Sequence, residues 1–286
     1  MSAPVQPEHT LPHIPAGTAI PKVIHQTYPR QDLPEPLAAN VSRLRDLNPS
    51  WEHRLYDDED IARYVRDHFG ARIAATLDRL APEYSVARSD VFRYMLMYRE
   101  GGVYLDIKSY ASRPLDVTLP PSSLLVTAQW GEGSSRAFGR HRELRHLPGG
   151  EYQQWHIAAA PGHPILRRVL IDVLGNIETY SPWRFGVGKK GVLAVTGPIA
   201  YTKSFLAIGP SPDVHVARSH EDLGLEYSVV KDHTVFFGTH YSRLDTPVVP
   251  PRTIRERVSA RLFREVRRIW LHLQGVPAPE RGGGRG

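Results

Sequence analysis

Apolar and polar positions follow two alternating rhythms along the 286-residue chain. Ile20 to Thr27 is apolar in its middle and ends on polar groups, which predicts a short first strand. Glu35 to Leu47 has helical spacing and stops at Asn48-Pro49, and Trp51 to Tyr56 alternates as a second strand. Asp57-Asp58-Glu59 opens a helix with acids in its first turn, where they complement the helix dipole, and a shorter helical piece follows at Ile73 to Leu80. Pro82 begins a long helix that runs to Arg99 or Glu100, with Gly101 as its terminating glycine. Val103 to Ile107, Leu124 to Ala128 and Trp155 to Ala160 then read as strands. Helices are predicted over Pro164 to Thr179 and Ile199 to Ala207, with strands near Val214 to Ala217 and Val235 to Phe237. Strands and helices alternating at these lengths predict an α/β sheet protein.

Near the C-terminus the pattern changes. Ile254, Val258, Leu262, Val266, Ile269 and Leu273 recur every three or four residues, Phe263 and Trp270 widen the stripe, and Arg fills the other faces. This is a basic amphipathic helix over residues 252–275. Two destinations are open to it, a membrane surface or the body of the protein itself.

Charge then sharpens the picture. The net charge is +6, and from Arg252 onward nine Arg face three Glu, so the remainder of the chain is neutral. A neutral body argues against a nucleic-acid enzyme. With no cysteine, disulfides, thiolate metal sites and cysteine nucleophiles are excluded, and a metal would need oxygen or imidazole ligands. No apolar run reaches the roughly 18–20 residues that cross a bilayer. Residues 1–19 carry prolines and no apolar signal core, and are expected to form a flexible leader; residues 276–286 read as a tail. A cytoplasmic enzyme, peripheral at the inner face of a membrane, is the expected setting.

The chemistry concentrates around one helix–Gly-Gly–strand unit. Asp90 and Arg93 lie three apart on one helix face, as a structural ion pair or a polar site. Asp106 follows apolar Val103-Tyr104-Leu105, at the carboxyl end of a strand, where open α/β sheets bind ligands. If the strand continues, Lys108 shares its side. Gly186-Val187-Gly188-Lys189-Lys190-Gly191 reads as a solvated turn or a lid over a phosphate. Trp130, Trp155 and Trp183 read as core, with stacking on acceptor sugars as the alternative.

The run Tyr84 to Tyr94, followed by Gly101-Gly102-Val103-Tyr104-Leu105-Asp106, resembles glycosyltransferase family 32, the group with a DXD sugar-binding region. Ile20 to Gln26, Asn48-Pro49-Ser50-Trp51, Ala158 to Pro164 and Thr196-Gly197-Pro198 resemble further blocks in the family's order. The resemblance implies a GT-A fold, a Rossmann-like mixed sheet flanked by helices, over residues 20–251. It implies retaining transfer of a sugar from a UDP- or GDP-linked donor to a glycan or lipid-linked acceptor, in capsular or cell-surface polysaccharide synthesis. Its donor site maps to His25, Gln26, Asp90, Arg93, Gly102, Asp106, Thr196, Gly197, His240 and Ser242, with Asp106, Lys108 and Arg93 as the catalytic set.

The chain departs from the family motif at one position. Asp-x-Asp, whose second carboxylate binds Mn²⁺ or Mg²⁺, is here Asp106-Ile107-Lys108. Three readings follow: Lys108 neutralises the diphosphate itself; a metal is kept by Asp106 and His240 with Lys108 turned aside; or turnover is lost and nucleotide-sugar binding remains.

Overall fold

The computed structural model describes residues 11–130, 139–229 and 244–274. The chain enters through β1 (Val23–Thr27), α1 (Glu35–Leu47), β2 (Glu52–Tyr56) and α2 (Asp58–Leu77). Asp57 caps α2 through a reciprocal box with Asp60. Gly70 breaks α2 at φ +81°, dividing it into the two pieces that the sequence pattern separates. A 3-10 turn at Pro82–Tyr84 leads into α3 (Ser85–Arg99), then β3 (Gly102–Leu105), β4 (Tyr110–Ala111), α4 (Leu115–Thr118) and β5 (Leu125–Ala128). Next come β6 (His156–Ala159), α5 (Pro164–Glu178), α6 (Pro182–Phe185), α7 (Gly188–Val195) and α8 (Pro198–Ile208). β7 (Val214–Ala217), β8 (Leu225–Glu226) and α9 (Ile254–Leu273) complete the described elements.

Six strands form one sheet in the order β2-β1-β3-β6-β5-β7. β1 pairs in parallel with β2 and β3, and β5 with β7, whereas β6 runs antiparallel to both β3 and β5. The α/β expectation therefore holds as a mixed, mostly parallel sheet. β4 and β8 make a separate two-stranded sheet beside it.

Burial on β3 alternates by face. Tyr104 packs into the larger core with α3 and α5, while Val103 and Leu105 pack into the opposite core with Leu44, Leu115 and Trp155. Both faces are thus covered, and all four β3 residues are buried. Asp106, two residues beyond Tyr104, returns to the α3 face.

Several expectations change here. The Gly-rich run at 186–191 is not a loop: from Gly188 it is the start of α7, and the Lys190 ammonium lies at the surface 3.6 Å from Glu143. The stretch Gly188–Ile208 is long and apolar enough to cross a membrane by composition, contrary to the reading of the sequence. It is two thirds buried in the body and divided at Thr196-Gly197 into α7 and α8, so it packs as core helices. Part of the expected leader is docked. Pro12 accepts from the Tyr98 hydroxyl at 3.1 Å, Gly17 N–H donates to Pro161 at 2.8 Å, and Leu11 is buried. Trp155 is core as expected, but Trp183 is half-exposed. The strand expected at 235–237 and the tail at 276–286 lie outside the described residues.

Candidate donor site

The site is built where α3 passes beneath the carboxyl end of β3. Gly101 and Gly102 join the two elements with φ +69° and +92°. A Cβ on Gly102 would stand 2.6 Å from the Val23 carbonyl, so both the backbone angle and the approach to β1 require glycine. Asp106 donates its N–H to Trp155 at 2.8 Å, and its carbonyl accepts from Ser109 at 2.7 Å, closing a turn. β3 therefore ends at Leu105. Lys108 does not continue the strand alternation beside Asp106, as the sequence reading supposed. Asn40 fixes the turn by donating to the carbonyls of Ile107 (3.1 Å) and Ser109 (2.8 Å).

Arg93 is the hub. Its guanidinium reaches Asp90 Oδ1 and Asp106 Oδ1, both at 3.1 Å, donates to the Gln154 carbonyl at 2.7 Å, and lies 4.7 Å from the Tyr104 ring centroid. Burial opposes its charge, but Tyr104, Asp106 and Asp90 more than offset this and hold it protonated. Asp90 is buried, with Oδ1 also accepting from Gln154 and Oδ2 accepting from Thr196 Oγ1 at 3.0 Å. Burial pushes its carboxyl up to about 6 against the pull of Arg93. Tyr94 ties the same corner together, its hydroxyl proton shared between the Thr196 carbonyl at 3.0 Å and the Gln154 side-chain oxygen. Gly197 caps α8 so closely against α7 that a Cβ would meet Leu193 Cα at 2.9 Å.

Asp90, Arg93, Asp106 and Thr196 thus come together, but at different depths. Asp90 and Thr196 form the floor, Arg93 lies between, and the Asp106 side chain keeps 23% of its surface exposed. The Tyr104 hydroxyl donates to Asp106 Oδ1 at 3.3 Å and sits 3.1 Å from Thr27 Oγ1.

His25 and Gln26 stand behind the site. The Gly101 carbonyl can only accept, so His25 Nε2 donates to it at 3.1 Å, and Nδ1 accepts from the Tyr56 hydroxyl at 3.1 Å. Burial lowers the His25 pKa to about 4, which fits this neutral ring. Gln26 Nε2 donates to the Asp106 carbonyl at 3.3 Å, leaving Oε1 to accept from His53 Nε2 at 2.8 Å. Sequence reasoning did not mark His53 or Gln154. Their signal is purely spatial, since they lie 53 and 48 positions away from Asp106 in the chain.

Lys108 turns to the β8 side. Its ammonium donates to the Tyr227 hydroxyl at 3.1 Å and lies 4.3 Å from that ring's centroid, while Val229 N–H binds the Lys108 carbonyl at 2.9 Å. Trp130 and Trp155 meet Tyr227 edge-on at 5.4 and 5.5 Å. Tyr227 is a third residue that the sequence reading missed. His240 and Ser242 lie outside the described residues.

The described residues alone do not make a site for a divalent cation. Among the described residues, no group of three His, Asp or Glu side chains could hold one. Two orphaned buried polar atoms, Arg93 Nε and Trp155 Nε1, are N–H donors, which satisfy oxygen and not a metal. Two carboxylates and two cations, Asp90, Asp106, Arg93 and Lys108, already balance.

A mixed sheet with an acid at the carboxyl end of its central strand, braced by a helix arginine, has the form of a GT-A glycosyltransferase. Residues 34–125 match the family described as "Glycosyltransferase sugar-binding region containing DXD motif". The match contains Asp90, Arg93, Asp106 and Lys108. Inositol phosphoceramide mannosyltransferase 3 of Schizosaccharomyces pombe is 34% identical over 221 residues, 77% of this chain and 54% of that protein. Mannosyl phosphorylinositol ceramide synthase of Saccharomyces cerevisiae is 31% identical over 215 residues, 71% of this chain and 53% of that protein. The chain spans about half the length of these curated relatives. Among solved structures, the PaToxG glycosyltransferase is 17% identical, over 68% of this chain and 72% of that one, with a TM-score of 0.44.

Proposed function

We propose that the chain transfers a hexose from a nucleotide-diphosphate sugar to a glycan or lipid-linked acceptor, with retention of anomeric configuration. The observation that carries this reading is the Arg93–Asp106 contact at the end of β3. It presents one partly exposed carboxylate, oriented by a buried cation, to a ligand above the sheet. Asp106 receives sugar hydroxyls, and Arg93 holds its carboxylate in one orientation from beneath. Lys108 replaces the family's second carboxylate in the sequence, and a donor phosphate that extends to the β8 side meets its ammonium where Tyr227 holds it. Donor binding accordingly proceeds without a divalent cation.

The bond from the anomeric carbon to the leaving phosphate breaks with its electron pair going to phosphate, through an oxocarbenium-like transition state. The acceptor oxygen bonds to the same face of the sugar, and its proton passes to the departing phosphate. Holding the reactants in place and neutralising the departing charge are the contributions asked of the protein. Mannose heads the donor sugars, because the relatives above are named for mannosyl transfer to inositol phosphoceramide, and it is to be tried on both UDP and GDP. Ceramide-type lipids and polysaccharide fragments, the latter for the capsular or cell-surface setting, are the acceptors to test.

A thermal-shift panel of UDP- and GDP-sugars, with EDTA or Mn²⁺, followed by mass spectrometry of products, tests the proposal. One nucleotide sugar should stabilise the chain and be turned over equally in EDTA. Stabilisation without any product would assign a binding protein instead, and turnover only with Mn²⁺ would overturn the role of Lys108.

A further inference from the structure

The stripe of α9 is not used by the fold. Ile254, Val258, Leu262, Val266, Ile269 and Leu273 are between 44% and 78% exposed, so the alternative that the stripe docks on the body is not what the structure adopts. The helix meets the body on a different face. Ala260 is its single buried residue, and Phe263 packs edge-on against Trp183 at 5.1 Å. A capping box of Thr253 and Glu256 fixes the start of the helix.

At 3.6 residues per turn three faces separate around the axis. One carries Ala260 and Phe263 to the body. A second carries the six apolar residues outward. A third carries Arg257, Arg261, Arg264 and Arg268, spaced by four, three and four, and all of them are exposed. Trp270, 58% exposed, borders the apolar stripe near the last turn. Six Arg face two Glu within the helix, and one of those Glu is spent on the cap while the other pairs with Arg268 at 2.7 Å.

We propose that α9 lies in the surface of an anionic membrane, its apolar stripe sunk to the acyl boundary and its Arg row at the lipid phosphates. Charge complementarity selects this occupant. A second copy of the chain would bring the same Arg row against itself, whereas an anionic lipid surface satisfies the stripe and the row together. Arginine stems reach from the edge of an apolar face to phosphate without withdrawing that face from lipid. Docking of α9 on bulk lipid is independent of the acceptor, since the helix is remote in sequence from Asp106.

Flotation of the full chain with phosphatidylcholine vesicles, with and without phosphatidylglycerol, tests it. The chain should float with the anionic vesicles and weakly or not at all with neutral ones. Each Arg removed should weaken binding roughly fivefold, the equivalent of about 1 kcal/mol. Arg257, Arg261, Arg264 and Arg268 all changed to Gln should therefore weaken it by more than about a hundredfold. Leu262→Asp with Ile269→Asp should abolish binding while leaving the melting temperature unchanged, since both side chains are exposed. Anionic-vesicle binding by this double variant equal to that of the parent overturns the proposal, as does failure of the parent to float. So does a dimer in light scattering that the same double variant dissolves, because it would assign the stripe to a second copy.

Discussion

Arg93 Nη1 lies 3.1 Å from Asp106 Oδ1, joining the middle of α3 to the first residue beyond β3. The same guanidinium holds Asp90, so one buried cation serves two carboxylates of unequal exposure. Arg93→Ala should leave Asp90 buried without its cation and cost about 3–5 kcal/mol of stability. Asp106→Asn, at a partly exposed position with its backbone bonds intact, should cost less than about 1.5 kcal/mol and remove donor-induced stabilisation. Chemical denaturation paired with nucleotide-sugar thermal shifts checks both; comparable stability loss in the two variants would contradict this division of roles.

Position 108 can be reversed. Lys108→Asp changes the local charge by two units and restores two carboxylates around Ile107. Donor binding in that variant should require Mn²⁺, measured by calorimetric titration with and without EDTA. Lys108→Met should weaken donor binding at least about tenfold under either condition, since a charged phosphate contact contributes on the order of 1.5–3 kcal/mol.

Two glycines separate backbone strain from crowding. Gly70 and Gly102 both have positive φ, +81° and +92°, but a Cβ on Gly70 meets nothing within 4 Å. Gly70→Ala should cost about 1–2 kcal/mol from conformation alone. Gly102→Ala adds the clash with the Val23 carbonyl and should cost clearly more, with part of the chain lost to aggregation. Equal melting temperatures would show that β1 yields freely.

Acid should destabilise the chain, with one group working the other way. Burial lowers His25 and His53 to about 4 and His156 to about 3, so the unfolded chain takes protons near pH 6.5 that the folded one refuses. Their contribution is present above about pH 6.5 and is lost as the pH falls toward 4. Asp90 is raised to about 6, so its folded form keeps a proton that the unfolded form gives up near 3.9. Its contribution favours the fold at low pH and is lost as the pH rises through 6. Asp90→Asn removes only this opposing part. The stability of Asp90→Asn minus that of the parent should therefore rise by on the order of 2–3 kcal/mol between pH 4 and 6.5. A flat difference would show that Arg93 fully offsets the effect of burial on Asp90.

Much of the architecture was legible because periodicity and capping are local. The α1 helix matches its predicted span, and β5, β6, α5, α8 and β7 fall within a residue or so of their expected limits. The departures came from contacts that periodicity does not encode. Gly186 to Gly191 looked like a loop by composition, yet the segment from Gly188 is helical and packs Val192 and Val195 into the core. Lys108 looked collinear with Asp106 by alternation, yet the carbonyls held by Asn40 stabilise a turn that redirects it. Trp183 looked like core, but it supports α9.

By itself, the sequence determined the helix–Gly-Gly–strand unit, the acid at its end, the missing second carboxylate and the basic stripe of α9. Each follows from residue type and short spacing, which act over a few positions of chain. Tertiary structure decided which face each of these meets. It sank Asp90 and raised Asp106 to the surface through one guanidinium, turned Lys108 onto Tyr227 more than a hundred residues away, and left the α9 stripe uncovered. Those outcomes depend on desolvation and on partners brought together from distant segments, and neither is written in any local pattern.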